Sequence, residues 1–276
     1  MRIGISSYTF PWAIGTAGQT PLNSLTVAQL LHYAHANGIK NVQLCDNLPV
    51  PLHQRSMADL REIKALADQY QIQIETGTCG LTAAHLLVYL EIAQYFNSPF
   101  LRVVMDEADH RPSVSEAIEI INEVIENFRG ANVVLAIENH DRFSAADLVN
   151  IIESTDDEYV GICLDTANSL GAAEGFKEVV TALAPYTVNL HVKDFTIKRL
   201  PHKMGFLVEG CAAGDGLLKV GYVLEKLASH NRCLSATLEV WSSPAETMEQ
   251  SIENERVWVE KSLRFLRDLP TFAILK

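Results

Sequence analysis

Four ionisable residues stand where an apolar, β-branched run of the sequence ends: Glu138, Asp165, His191 and Glu239. Runs of this kind, such as the VGICL that precedes Asp165, are typical of buried strands. Carboxylate and imidazole groups are ligands for a divalent cation, and buried carboxylates that face one another need such a cation to stay ionised. We therefore predict one metal site formed by these four residues. Because the set contains no thiolate, it favours Mn²⁺, Mg²⁺ or Co²⁺ over a structural zinc site, while a catalytic zinc stays an alternative.

The elements that must position these residues alternate between strand and helix along the whole chain. The predicted strands cover residues 2–7, 41–47, 71–78, 100–106, 133–141, 160–165, 187–193 and 233–240. The predicted helices cover residues 26–38, 56–70, 82–96, 113–128, 144–153, 176–183, 217–230 and 251–268. No two predicted strands are joined by a hairpin turn, which argues for parallel strands with right-handed crossovers.

Eight strand–helix units in roughly 250 residues predict a (β/α)₈ TIM barrel of the α/β class, with residues 1–276 as a single domain. An open doubly wound sheet would more often have five or six strands and a Gly-rich first turn, and the sequence contains neither G-x-G-x-x-G nor G-x-x-x-x-G-K-[ST]. In a barrel the active site lies at the carboxyl ends of the strands, where all four predicted ligands fall.

Composition limits the partners of this protein. The net charge of −12 disfavours nucleic acid, because phosphate binding needs a basic surface. The sequence has no run of about 18 apolar residues, so we expect no membrane span, and MRIGISSYTF is expected to begin the fold directly. Five widely spaced cysteines without a C-x-x-C pair indicate a reduced, cytoplasmic protein. A homodimer or a tetramer is possible on these grounds.

The segments LAIENHD, CLDTANSLG, NLHVKDF and LEVW, in this order on the last four predicted strands, resemble those of the xylose isomerase-like TIM barrels, the sugar phosphate isomerase/epimerase superfamily. The resemblance covers essentially the whole chain. In the ketose 3-epimerases of this superfamily the matching residues bind one divalent metal, commonly manganese, and the two glutamates form the acid/base pair. The resemblance therefore implies a Mn²⁺ site formed by Glu138, Asp165, His191 and Glu239, with Glu138 and Glu239 as the catalytic residues.

This ligand set and the resemblance lead to three hypotheses. The first is a metal-dependent sugar isomerase or epimerase, in which a metal-bound carbonyl acidifies the neighbouring C–H and an enediolate forms. The second is a metal-dependent dehydratase or other C–O lyase acting on a keto-sugar or keto-inositol, which starts with the same proton abstraction. The third is a non-catalytic sugar-binding barrel. Each implies a small sugar or keto-polyol as the partner.

The sequence departs from the epimerase pattern at two positions that hold substrate. Asn168 stands where the epimerases usually have His, and Ile197 stands where they usually have Arg, followed here by Lys198 and Arg199. The resemblance therefore leaves the substrate open.

Further candidates come from the strand ends and the loops. Lys193 lies two residues beyond His191 on the same strand face and could contact substrate. Glu75 could contact a sugar hydroxyl or form a salt bridge inside the barrel with Arg102. The predicted substrate-binding residues are Asn168, Lys193, Glu75, His140, Arg102 and Trp12.

The insert of residues 195–216 is predicted to be a long loop. Its apolar centre and its glycines favour a lid over the site, or alternatively an oligomer contact. The predicted lid residues are Met204, Phe206 and Glu209.

Overall fold

The computed structural model of this protein describes residues 1–16, 18–155 and 158–273. Eight parallel strands close into a barrel, and each hydrogen-bonds to its neighbours in the order β1-β10-β7-β6-β5-β4-β3-β2. These barrel strands are β1 (Arg2–Ser6), β2 (Asn41–Leu44), β3 (Gln73–Cys79), β4 (Phe100–Val104), β5 (Val134–Glu138), β6 (Val160–Asp165), β7 (Thr187–Val192) and β10 (Ser235–Leu238). The predicted (β/α)₈ barrel is confirmed.

Helices surround the barrel, and most follow a strand. They are α1 (Pro11–Ile14), α2 (Val27–Ala36), α3 (Met57–Tyr70), α4 (Ala83–Phe96), α5 (Val114–Ala131), α6 (Ala145–Thr155), α7 (Phe176–Leu183), α8 (Val220–Ala228), α9 (Met248–Asp268) and α10 (Pro270–Ala273). Short 3₁₀ turns cover Ser7–Thr9, Leu52–Gln54, Asn168–Leu170 and Ala184–Tyr186. In the described residues, no helix is long and apolar enough to cross a membrane.

Local sequence explains where these helices begin and which face they bury. Thr26, Ser56 and Ser113 each accept a hydrogen bond from the backbone N–H three residues later, which satisfies a donor that the first turn leaves free. In α5 the buried Ala117, Ile121, Val124, Ile125 and Phe128 recur at helical spacing and form the stripe that packs toward the barrel.

The insert after β7 contains regular structure, and the prediction of a loop there is wrong. Strands β8 (Asp194–Arg199) and β9 (Phe206–Cys211) pair antiparallel as a hairpin, so the expectation that no two strands share a hairpin is also wrong. Both strands carry β-branched and aromatic residues, but the tip between them contains Pro and Gly, which favour a loop.

The hairpin is tied to the barrel by a buried aspartate. The Asp194 carboxylate accepts hydrogen bonds from the backbone N–H groups of Gly214, Gly216 and Leu218 at 2.9 to 3.0 Å. The segment that follows β9 is therefore fixed next to the carboxyl end of β7.

Candidate active site

The four predicted metal ligands come together at the carboxyl ends of four strands. Glu138 and Asp165 end β5 and β6, His191 is the next-to-last residue of β7, and Glu239 follows β10. All four are buried, with at most 2% of their surface exposed. From His191 Nδ1 the distances are 3.4 Å to Glu138 Oε2, 3.4 Å to Glu239 Oε1 and 4.0 Å to Asp165 Oδ2. One imidazole nitrogen thus faces three carboxylates.

The proton position on His191 follows from a chain of amides below it. Asn189 Nδ2 donates to Ser235 Oγ at 2.8 Å, so Asn189 Oδ1 is the atom that accepts from Gln43 Nε2 at 3.1 Å. Gln43 Oε1 is then left to accept from His191 Nε2 at 2.8 Å. In its neutral form His191 therefore has its lone pair on Nδ1, which points at the carboxylates, and this is the arrangement that metal-binding histidines adopt.

One acceptor atom of this cluster has no partner, and two others face only an ammonium group. His191 Nδ1 is buried and makes no hydrogen bond with the described residues. Asp165 Oδ2 and Glu239 Oε2 lie 2.8 Å and 3.0 Å from the Lys193 ammonium. Buried acceptors normally have partners, so His191 Nδ1, among three carboxylates, marks a place for a bound cation.

A second cation holds Glu138. The Arg102 guanidinium donates through Nε to Glu138 Oε2 and through Nη1 to Asp46 Oδ1, the latter at 2.8 Å. Asn168 Nδ2 donates to the other oxygen, Glu138 Oε1, at 2.9 Å. Both oxygens of Glu138 are therefore engaged.

The predicted salt bridge between Arg102 and Glu75 is wrong. Arg102 pairs along the ladder with Gly77, and an ideal Cβ on Gly77 would lie 3.3 Å from Arg102 Cδ. The missing side chain lets Arg102 extend toward the carboxyl end of the barrel, away from Glu75. Glu75 instead accepts a hydrogen bond of 2.7 Å from Asn41, the first residue of β2, and so lies near the amino ends of the strands.

The electrostatics of the cluster favour ionised carboxylates. Burial alone would raise the pKa of Glu138, but Arg102, His191 and Lys193 outweigh it and hold that pKa below its usual value. In the same way His191, Lys193 and Arg102 lower the pKa of Glu239 against the effect of burial. Burial alone would lower the pKa of Lys193, yet the neighbouring carboxylates, Asp165 first, raise it well above its usual value.

The charges and the unpaired atoms fit a divalent metal. Four carboxylates, those of Glu138, Asp165, Glu239 and Asp46, surround the two cations Arg102 and Lys193, which leaves an excess of two negative charges. Two overlapping groups offer ligand atoms within 4.8 Å of one another: Asp165, His191 and Glu239, and Glu138, Cys163 and His191. The first group is oxygen-rich with one imidazole, the second adds the Cys163 thiol, and among the described residues neither group contains all four predicted ligands.

The remaining predicted site residues lie apart from the cluster. His140 is exposed, and its Nδ1 lies 3.7 Å from Asp141. The Trp12 indole donates to the carbonyl and the hydroxyl of Ser242, both at 3.0 Å, and is largely buried. Met204 and Phe206 lie at the exposed tip of the hairpin, with 83% and 59% of their surface exposed.

Glu209 of the predicted lid lies on β9. Its carboxylate pairs with Lys198 across the hairpin at 3.2 Å. This ion pair lies within the hairpin and does not reach the carboxylate cluster.

Sequence reasoning missed four residues that complete the site. Ser6 donates to Glu239 Oε1 at 3.0 Å, and Tyr8 donates to Asp46 Oδ2 at 2.7 Å, while Gln43 orients His191. Ser6, Tyr8 and Asp46 lie at or just beyond the carboxyl ends of β1 and β2. Their position is the same as that of the predicted metal ligands, which lie where the last four barrel strands end.

Comparisons with known proteins identify the family to which this chain belongs. The family model of the xylose isomerase-like TIM barrel matches residues 31–269. This chain belongs to that family. It is 31% identical over 266 residues to 3-oxo-isoapionate decarboxylase of Pectobacterium atrosepticum, with 96% of this chain and 95% of that protein covered.

Solved structures show the same fold at low sequence identity. D-psicose 3-epimerase of Clostridium cellulolyticum H10, solved with D-tagatose, has a TM-score of 0.72 at 15% identity, with 97% and 98% of the two chains covered. A xylose isomerase-like TIM barrel protein of Mycobacterium smegmatis in complex with magnesium has a TM-score of 0.70 at 14% identity, with 96% and 97% covered. The resemblance that the strand-end segments indicated is confirmed at the level of the family.

Proposed function

We propose that this protein is a metal-dependent decarboxylase of a 3-oxo sugar acid. The observation that carries the proposal is the similarity, over nearly the full length of both chains, to a decarboxylase whose name gives a 3-oxo acid as its substrate. The cluster at the carboxyl ends of the strands supports it, because a reaction that forms an enolate needs a polarised ketone oxygen and a nearby proton source.

In this proposal Glu138, Asp165, His191 and Glu239 hold one divalent cation, for which we propose Mn²⁺. When bound, such a cation polarises a ketone oxygen and stabilises the negative charge that develops there. His191 is prepared for this role by Gln43, whose Oε1 accepts a hydrogen bond from Nε2–H and leaves the Nδ1 lone pair free.

The proposed reaction consumes one proton. The bond between the carboxylate carbon and the adjacent carbon breaks, CO₂ leaves, and the electron pair moves through the new C=C bond onto the ketone oxygen. A proton then adds to the carbon that lost CO₂, and the ketone re-forms. Lys193 carries protons on an ammonium that lies at the cluster and is 15% exposed, so we assign it as the donor that water recharges.

The contacts of Glu138 favour this division of roles. A two-base epimerase needs a free carboxylate on each face of the substrate, but Arg102 and Asn168 engage both oxygens of Glu138. Decarboxylation needs only one proton transfer to carbon. We therefore assign Glu138 to metal binding, and its predicted role as an acid/base residue stays a prediction.

Release of CO₂ from 3-oxo sugar acids tests the proposal. Protein loaded with Mn²⁺ should release one CO₂ per ketone formed, and protein treated with EDTA should not. In D₂O the product should carry one deuterium at the carbon that lost CO₂. No release above the spontaneous rate, over a panel of 3-oxo sugar acids, would contradict the proposal.

Epimerisation of a ketose is the second candidate function. Glu138 Oε2 and Glu239 Oε1 each lie 3.4 Å from His191 Nδ1, and two-base chemistry would use a pair of carboxylates at one site. Deuterium wash-in from D₂O into a ketose, without loss of CO₂ or water, would favour it. An unsaturated product would instead favour the dehydratase hypothesis, and tight sugar binding without exchange would favour a binding protein.

A further inference from the structure

A hydrogen-bonded chain of side chains leads away from the cluster toward the loops after β1 and β2. It runs from Glu138 to Arg102, from Arg102 to Asp46 and from Asp46 to Tyr8. Tyr8 lies in the 3₁₀ turn that follows β1, and Asp46 lies two residues beyond β2. These hydrogen bonds therefore connect the loops after β1 and β2 to Glu138 at the end of β5.

We propose that Asp46 is a positioning residue of the active site, which acts through Arg102 to fix the carboxylate of Glu138. The effect on turnover rests on the proposed decarboxylation, whereas the effect on metal affinity rests only on the proposed metal site. Tyr8 has the lesser role of fixing Asp46.

Glu138 needs such support because its own side chain is flexible. A glutamate reaches the centre of the barrel through three rotatable bonds, and only partners at its oxygens select one orientation. Asn168 holds Oε1, and Arg102 holds Oε2. The orientation of the carboxylate is therefore only as well defined as the position of the Arg102 guanidinium.

Arg102 in turn depends on Asp46. Besides Glu138, the guanidinium has two hydrogen-bond partners among the described residues, both through Nη1: the backbone carbonyl of Thr78 at 3.2 Å and Asp46 Oδ1 at 2.8 Å. It also lies over the Tyr8 ring, 5.7 Å from the ring centre. The contact with Asp46 is the shorter of the two hydrogen bonds, and it alone joins opposite charges. The side chain of Arg102 is only 4% exposed and that of Asp46 is 22% exposed, so water reaches the outer end of the pair and not the guanidinium.

Other roles for Asp46 do not fit its contacts. Among the described residues, Asp46 belongs to neither of the groups whose ligand atoms lie within 4.8 Å of one another, so its carboxylate is poorly placed to act as a metal ligand. Arg102 is also a poor receptor for an anionic substrate, because it lies between two carboxylates whose charge exceeds its own.

The affinity for Mn²⁺, measured by isothermal titration calorimetry without substrate, tests the positioning role. Asp46→Ala should weaken Mn²⁺ binding by about 10- to 100-fold, the usual cost of removing a group that orients a metal ligand. Asp46→Asn keeps an acceptor for Arg102 and a partner for the Tyr8 hydroxyl, so it should recover most of the affinity. Asp106→Asn is the matched control, since Asp106 forms an ion pair with Arg142 at the same end of the barrel, outside the cluster. It should bind Mn²⁺ like the unaltered protein.

Two outcomes would overturn the proposal: unchanged Mn²⁺ affinity in Asp46→Ala, or equal losses in Asp46→Ala and Asp46→Asn, which would mean that only the charge of Asp46 matters. If Asp46→Ala does not fold, Asp46→Ser replaces it, because the serine hydroxyl is one bond too short to hold Arg102. Since no substrate is present, failure of the decarboxylase proposal would leave this result intact. With a substrate in hand, kcat should fall more than KM rises.

Discussion

Each end of the barrel interior buries a glutamate, and the pKa values of the two glutamates shift in opposite directions. At the carboxyl end Arg102 and its neighbours hold the pKa of Glu138 below its usual value, although burial opposes them. Near the amino end burial raises the pKa of Glu75 to about 7, and hydrogen bonds with Ser235 and Asn41 offset only part of the effect. The same degree of burial thus gives an anion at one end and a group that is half protonated near neutral pH at the other.

The difference shows what distinguishes the candidate site from the rest of the core. When no cation contacts a buried carboxylate, uptake of a proton lowers the free-energy cost of burying it. The carboxyl end instead keeps several carboxylates ionised by placing Arg102 and Lys193 among them, and an excess of negative charge remains for a metal. Buried charge by itself therefore does not mark the site, whereas buried charge with matched cations and unpaired acceptors does.

The largest effect is expected for Lys193→Met at the carboxyl end. If Lys193 donates the proton, decarboxylation should fall by about 100- to 10,000-fold, the usual contribution of a general acid. Steady-state rates of CO₂ release check this, with Lys198→Met on the exposed part of the hairpin as the control. Turnover within a factor of a few of the unaltered enzyme would remove Lys193 from the proton transfer.

Arg102→Met should destabilise the fold strongly. It leaves the buried Glu138 without its cation, and breaking a buried ion pair from one side costs about 3–5 kcal/mol of unfolding free energy. Urea unfolding measures the change. Arg142→Met, which breaks the more exposed pair with Asp106, should cost less than about 1 kcal/mol. Equal losses in the two variants would contradict the special role of the cluster.

Glu75→Gln should remove a dependence of stability on pH. Between the usual pKa of 4.5 and about 7, the unfolded chain releases the proton of Glu75 while the folded chain keeps it. The folded state then binds more protons, so its stability falls as pH rises through this window, by an amount on the order of 3 kcal/mol. The unfolding free energy of Glu75→Gln, relative to that of the unaltered protein, should therefore rise between pH 4 and pH 8.

Unfolding free energies at the two pH values check this, with Glu123→Gln on the exposed face of α5 as the control. A difference between Glu75→Gln and the unaltered protein that does not change with pH would show that Glu75 is ionised in the fold, like Glu138.

The smallest effect on stability is expected at the hairpin tip. Met204→Gln should change the unfolding free energy by less than about 0.5 kcal/mol, because the side chain is 83% exposed. If the predicted lid closes over substrate, KM should nevertheless rise several-fold, whereas Met57→Gln, at an exposed methionine of α3, should leave KM unchanged. An unchanged KM in Met204→Gln would remove the lid role.

Much of the fold and the inner part of the site follow from the sequence by simple rules. Repeated strand–helix alternation implies a parallel barrel, and strand ends in a parallel barrel converge on one face. Those two steps are enough to bring Glu138, Asp165, His191 and Glu239 together. Both steps require only that the end of each strand is identified in the sequence.

The rest depends on information that local sequence does not carry. The direction of Arg102 is set by its ladder partner Gly77, which makes room toward the carboxyl end. Tyr8 and His191 bond to Asp46 and Gln43, which lie 38 and 148 residues away in the sequence, so no local pattern reveals these pairings. The hairpin was missed because two short strands flank a Pro- and Gly-rich tip.

The most direct test of a metal site at the carboxyl end is the stoichiometry of Mn²⁺ in purified, dialysed protein. We expect one Mn²⁺ per chain in the unaltered protein and none in His191→Ala, which loses the imidazole that faces the carboxylates. His230→Ala, at an exposed histidine beyond α8, should still bind one. Absence of bound Mn²⁺ in the unaltered protein, or full binding by His191→Ala, would contradict a metal centre at these four residues.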